Sequence, residues 1–306
     1  MSGERGCFKT GCLGCLGVLL VVIVITGVLV LVGWNSSRHQ DVQDRMLALQ
    51  DAEAAADSSL ATPDFPWRSH PGRVVLDLSH GSFTLSPAPE GEGLAARARF
   101  DAEAYTIGEK FTIQPDSSWV YRISFHRHLT GMQAMFRGLF MKGSRPEVQV
   151  FLPGDVPLSL EAHVTAGGME AELGGLWLKE AIFSYDKGGF SFGFSEPLRE
   201  PMDRLSIQGS MGGVEAVAVG NASPAVLDIG CRMGGGDVDL TGNWLRDCRV
   251  TLSVRMGGMS VTVPRDMKVD GAAVPAGDIA APTGENPLPV LHISKRQSMG
   301  EIEIQR

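Results

Sequence analysis

Met233-Gly-Gly-Gly-Asp-Val-Asp-Leu240 and Met256-Gly-Gly-Met-Ser-Val-Thr-Val263 are two copies of one pattern. A methionine leads into paired glycines, and an alternation of apolar and polar residues follows. Working outward, the pairs Gly167-Gly168, Gly188-Gly189, Gly212-Gly213, Gly234-Gly235 and Gly257-Gly258 have first members 21, 24, 22 and 23 residues apart. Strand-type alternation at a fixed period of twenty-odd residues is the signature of a β-solenoid, in which each repeat buries its apolar face only by stacking on the next. Before the glycines stand Leu205/Ile207/Met211, Leu227/Ile229/Cys231/Met233 and Val250/Leu252/Val254/Met256. After them stand Met169/Ala171/Leu173, Phe190/Phe192/Phe194, Gly236/Val238/Leu240 and Met259/Val261/Val263. Period-2 spacing puts each set on one face of a half-buried strand. The reading is an all-β chain of stacked short strands. Gly167, Gly188, Gly212, Gly234 and Gly257 would be structural turns between two strands, where a positive φ or close stacking excludes a side chain.

A second turn signal follows in Gly174-Gly175, Gly220-Asn221 and Gly242-Asn243. An opening rung is expected at Leu76–Leu85 and a closing one at Met299–Ile304, so that residues 73–306 form one body. Residues 129–142 break the rhythm. Met132, Met135, Phe136, Leu139 and Phe140 recur at helical spacing, which predicts an inserted amphipathic helix. It reads as a cap on the open end of the solenoid or as a partner or ligand surface.

The N-terminus predicts a membrane anchor. No charged residue lies between Lys9 and Arg38, and Leu13–Val32 is long enough as a helix to cross a bilayer. The division expected is a cytoplasmic tail over 1–10, a transmembrane helix over 11–34, and a stalk with a Pro-containing linker over 35–72. The short basic tail orients the chain N-in, with its C-terminal part extracytoplasmic. Val42, Met46 and Leu49 at helical spacing predict that the stalk is helical. Cys7, Cys12 and Cys15 cluster at the inner edge of the span, and Cys12-Leu-Gly-Cys15 sits in an apolar helix and not beside a βαβ unit, against a redox role.

Composition and motifs narrow the function. The 306 residues carry a formal charge of −8 with no dense Lys/Arg run, against nucleic-acid binding. His126 and His128 share a strand face without further ligands, and a zinc site needs three or four. Asp237 and Asp239 occur once at a period near 22, unlike stacked calcium nonapeptides. No nucleophile elbow, P-loop or dinucleotide fingerprint is present. Neither catalysis, nor a cofactor, nor a metal is expected, and Cys231 and Cys248 leave a disulfide open.

The stretches Val148-Gln-Val-Phe-Leu-Pro153, Leu158-Ser-Leu-Glu-Ala162, Gly212-Gly-Val-Glu-Ala216, Met233–Leu240 and Met256–Pro264 resemble the bacterial toast-rack superfamily. That group includes the C-terminal domain of LiaF-type envelope-stress proteins and adhesin-like domains. The resemblance covers residues 148–270 well and 73–147 loosely. It implies a β-solenoid-like fold without catalytic residues, tethered to a bacterial inner membrane beside signalling proteins. The function expected is a non-enzymatic, membrane-tethered interaction module with a protein partner: a sensor or scaffold in envelope-stress signalling or in assembly of a membrane complex. The alternative is binding of lipid or a cell-wall component, or surface adhesion.

Overall fold

The computed structural model describes residues 23–25, 27–28, 42–48, 70–89, 93–128, 145–265, 267–271 and 288–306. Among these are thirteen strands in one sheet. Seven make the stack: β2 (Gly72–Pro87), β7 (Leu158–Glu172), β8 (Leu178–Gly193), β9 (Arg204–Val217), β10 (Val226–Asp239), β11 (Cys248–Thr262) and β13 (Val290–Gln305). Each pairs in parallel with the next, from β2 through β7, β8, β9, β10 and β11 to β13. Every rung is one long strand with two legs. In β2, β7, β8, β9 and β11 the first leg carries buried positions, four unburied residues follow at the bend, and the second leg alternates buried and open positions. The glycine pairs therefore lie inside continuous strands rather than between separate ones.

The core lies between the legs and the segments that return the chain to the next rung. On the first leg Leu76, Ala162, Phe183, Ile207, Ile229 and Leu252 stack in register, and all are buried. Phe83, Met169, Phe190 and Val214 do the same on the second, and Met259 follows them across Gly236. Large and small residues interlock across rungs: the Tyr185 ring stacks on Phe190 at 4.0 Å and lies over Gly209, where an added Cβ would fall 2.0 Å from its Cζ. A fully buried side chain of this size stabilises by about 1.5–3 kcal/mol, and the repeated column multiplies that term. The return segments add Leu173, Phe194, Leu240 and Val263 to the core. Asn221 fixes one of them: its Nδ2 donates to the Phe194 carbonyl at 2.8 Å, and its Oδ1 accepts from the Asn243 amide at 3.0 Å.

The two ends are closed differently. At one end β5 (Trp119–Arg127) pairs with the first leg of β2 and β6 (Glu147–Leu152) with the second, so this rung is split at its bend. β4 (Tyr105–Ile113) and β3 (Ala95–Asp101) then run antiparallel to β5 and β6. At the other end, β12 (Lys268–Asp270) covers only the first three residues of β13. There Lys295 and Gln297 take inward rows held elsewhere by Leu252 and Val254. Lys295 Nζ donates to the Ile302 carbonyl at 3.4 Å, and Gln297 Oε1 accepts from the Ile302 amide at 3.2 Å. Inward-facing polar groups on a terminal strand discourage another sheet from adding on.

Two expectations need revision. The stalk was expected to be helical, yet Val42–Ala48 is a strand, β1, antiparallel to β3 with Val42 opposite Asp101 and Ala48 opposite Ala95. A free sheet edge offers this short segment a ladder of backbone hydrogen bonds, and such tertiary pairing overrides a weak helical period. Met211, Met233 and Met256 were assigned to the inward face, but they are 44%, 45% and 41% exposed. They stand at the bend, where alternation loses its phase. The span expected over 11–34 lies largely outside the described residues. Residues 23–25, 27 and 28 are helical, and no described helix is long and apolar enough to cross a membrane. The helix expected over 129–142, with Met132, Met135, Phe136, Leu139 and Phe140, also lies outside them.

Candidate binding groove

The two glycines of each pair are in different physical situations. Gly167, Gly188, Gly212, Gly234 and Gly257 have φ between +129° and +142° and stack in register along the bend, between Gly81 and Gly300. An added Cβ on Gly188, Gly212, Gly234 or Gly257 would lie 1.6–1.9 Å from the carbonyl oxygen of the glycine one rung before. Only glycine fits there. The second column is free of this demand except at Gly235, where an added Cβ would fall 2.7 Å from the Gly258 carbonyl oxygen. An added Cβ meets nothing within 4 Å at Gly189 or Gly258, and only ordinary contacts, at 4.0 Å and 3.6 Å, at Gly213 and Gly168. The fold tolerates a side chain at these positions, and the chain has none.

The result is a groove of about 910 Å³ on the outer face of the second leg. Its floor is the backbone of Gly168, Gly189, Gly213 and Gly235, and its wall is the next outward column. That column runs Thr84, Glu170, Ser191, Glu215 and Asp237 in register across five strands. Ser191 Oγ donates to Glu215 Oε2 at 3.2 Å. Glu215 and Asp237 are neighbours on adjacent strands, a like-charge pair that costs stability where it stands alone. The groove thus presents bare backbone beside a row of carboxylates and hydroxyls.

Three of the histidines are engaged in structural contacts. His126 Nε2 lies 3.6 Å from Asp77 Oδ2, His128 Nδ1 is 3.3 Å from Thr106 Oγ1, and His163 Nδ1 is 2.9 Å from Ser184 Oγ. Among the described residues no group of three or more His, Cys, Asp or Glu could hold a metal ion. Burial, with the cations Arg127 and Lys187 nearby, holds the His80 imidazole below its ordinary range. Cys231 and Cys248 are free and buried, in different inward columns of the first leg. Burial pushes the Cys248 thiol up to about 12, and such a thiol is inert.

The groove was not visible as a site in the sequence, although its glycines were. The signal lies in the second glycine of each pair, to which the turn reading gives no role of its own.

No family model matches the sequence, and no curated protein does. The resemblance to the toast-rack superfamily therefore has no counterpart among family models. Three solved structures are similar. A candidate cell adhesion protein from Clostridium sporogenes matches with a TM-score of 0.40 and 13% identity, over 87% of this chain and 99% of that one. A candidate adhesin from Bacteroides fragilis gives 0.33 and 10%, over 87% and 98% of the two chains. A candidate adhesin from Parabacteroides merdae gives 0.23 and 9%, over 86% and 95%.

Proposed function

We propose that the chain is a non-enzymatic binding module that receives an extended, positively charged chain along the glycine-floored groove. The apolar run over residues 11–34 tethers it to the membrane, with the folded body outside the cytoplasm. The observation that carries this reading is the second glycine column. A position where the fold accepts a side chain, kept bare at Gly168, Gly189 and Gly213 of the floor, leaves room for something that lies across the strands. An extended ligand suits the floor because it can follow the rungs, and a cationic one suits the wall because it relieves the adjacent Glu215 and Asp237 charges. Adhesion and scaffolding both need such a surface. The signalling role implied by the resemblance finds no counterpart among the described residues.

The test uses the full chain and a fluorescent oligolysine peptide, read by anisotropy. Gly189→Leu with Gly213→Leu fills the floor where the rungs have space, and Glu215→Gln with Asp237→Asn discharges the wall. Binding is expected to weaken in both variants and to fall as salt rises, with melting temperatures close to the parent's. Undiminished binding in the leucine variant rules out the groove.

A further inference from the structure

The bend carries a second feature, on the side of the first leg and toward the β13 end. Met211, Met233, Met256 and Met299 stack in register on four consecutive strands, and they are 41–65% exposed. At about 4.8 Å between strands, the row is roughly 14 Å long. Beside it Arg232 and Arg255 occupy equivalent positions on β10 and β11, between the in-register pairs Cys231/Val254 and Met233/Met256. Arg296 lies on β13 opposite Ser253. The three arginines, with Gln208 and Ser253, line a shallow hollow of about 320 Å³.

Several other arginines along the stack have acidic partners. Arg73 pairs with Glu161, Arg204 with Asp228 at 3.0 Å, and Arg246 approaches Asp203 at 3.5 Å. Arg232, Arg255 and Arg296 are exposed and have no acidic partner among the described residues. Like charges on directly adjacent strands are unfavourable, and this pair stands in a chain of net charge −8 that has acids to spare. An external anion removes the conflict. The methionines say what kind of anion. They form an exposed row of flexible, unbranched apolar side chains, the kind a fluid interface can envelop.

We propose that this bend is a docking edge for an anionic phospholipid surface. The methionine row enters the boundary between head groups and acyl chains, and Arg232, Arg255 and Arg296 bind the lipid phosphates. Guanidinium–phosphate pairs form in the fork geometry that suits them, and the thioethers take the apolar side. The edge acts independently of whatever occupies the groove, which lies on the other leg.

Methionine oxidation reads this directly. The full chain is mixed with vesicles of phosphatidylcholine alone, or with phosphatidylglycerol added, and treated with dilute peroxide. Sulfoxide formation is followed by peptide mass spectrometry, with buried Met169, Met202 and Met259 as internal references. Oxidation of Met211, Met233, Met256 and Met299 is expected to slow on anionic vesicles only. Soluble glycerol phosphate should leave it unchanged. An anionic surface is worth about fivefold in affinity per arginine, so R232Q/R255Q/R296Q should weaken docking by about a hundredfold and abolish the protection. Unchanged oxidation of the buried methionines certifies the fold of that variant. Equal rates on the two vesicle types, protection that survives in the triple variant, or protection by glycerol phosphate would each overturn the proposal, the last in favour of a soluble anion site.

Discussion

Replacing Gly212 by alanine should be far more damaging than replacing Gly213, its neighbour in the chain. At Gly212 the backbone holds φ at +137°, and the new Cβ would lie 1.8 Å from the Gly188 carbonyl oxygen and 2.8 Å from its carbon. Backbone strain of this kind costs about 1–3 kcal/mol. The contact cannot be relieved by a side-chain rotation, because the atom struck is backbone. The two strands must separate locally, and loss of one or two ladder hydrogen bonds adds roughly 0.5–1.5 kcal/mol each. The sum is about 2–6 kcal/mol, a large part of the roughly 5–15 kcal/mol that holds a domain together. At Gly213 the nearest atom to the new Cβ is the Gly235 carbonyl oxygen, 4.0 Å away. Alanine there is expected to be neutral, or to stabilise by up to about 1 kcal/mol through a less flexible unfolded chain. Thermal melting of the full chain followed by circular dichroism separates the two cases. G212A should lower the midpoint by about 10 °C, at about 2–4 °C per kcal/mol, and G213A should leave it within a few degrees. Equal losses in both would refute the division of roles between the two columns.

Further outcomes follow from the interior. G209A should destabilise by about 1–3 kcal/mol, because the methyl group enters the space of the Tyr185 ring; a double-mutant cycle with Y185L should show a coupling of the same order, and additivity would refute the contact. The Cys248 thiol, raised by burial to about 12 from 9.0, favours folding while it stays protonated. That contribution is complete below pH 9 and is lost as pH climbs from 9 toward 12, so urea midpoints of C248V should fall less over this interval than those of the parent. His80 has the opposite sign. Its imidazole titrates below 6.5, chiefly through burial and then through Arg127 and Lys187, so its contribution is present above pH 6.5 and lost on acidification. NMR of the ring should place its midpoint below 6.5, and K187Q should move it upward; an unshifted midpoint in the parent would contradict the placement.

How far the residues foretell the structure depends on how local each constraint is. The stack was legible because its cause repeats: a positive φ at Gly188 and again at Gly212 leaves the same mark in every rung. The inward columns were legible for the same reason, down to Phe192 and Val238. Met211, Met233 and Met256 were misread because alternation was carried through the bend. Each is followed directly by the positive-φ glycine, and in each rung the residue just before the methionine is left out of the ladder register, as Ser210, Arg232 and Arg255 are. Strand β1 was illegible because the ladder it joins depends on β3, about fifty residues further on. The split rung of β5 and β6 was hidden similarly, since β2 inserts between it and β7. The groove needed the distinction between a glycine the backbone requires and one it merely permits, and that distinction is set by backbone atoms of the neighbouring rung.

A solenoid separates the determinants of its fold from those of its binding more cleanly than a globular core does. Stability resides in the inward columns and the first glycine column, where each rung touches only its neighbours and losses propagate along one dimension. The outward columns repeat at the same spacing but are packed against nothing. A change from Ser191 to Glu215 to Asp237 along the groove wall, or from Ser210 to Arg232 and Arg255 at the bend, therefore alters charge without disturbing the stack. Ligand preference can shift rung by rung while the glycine ladder holds the geometry fixed. Because Lys295 and Gln297 obstruct growth at one end and antiparallel strands cover the other, the long sides and the bend are what remain for a partner. The same separation fixes what the variants should do: substitutions in the groove wall or among the three arginines should change binding and raise melting by a few degrees at most, through relief of like-charge neighbours, whereas any side chain in the first glycine column should unfold the stack before ligand choice is affected.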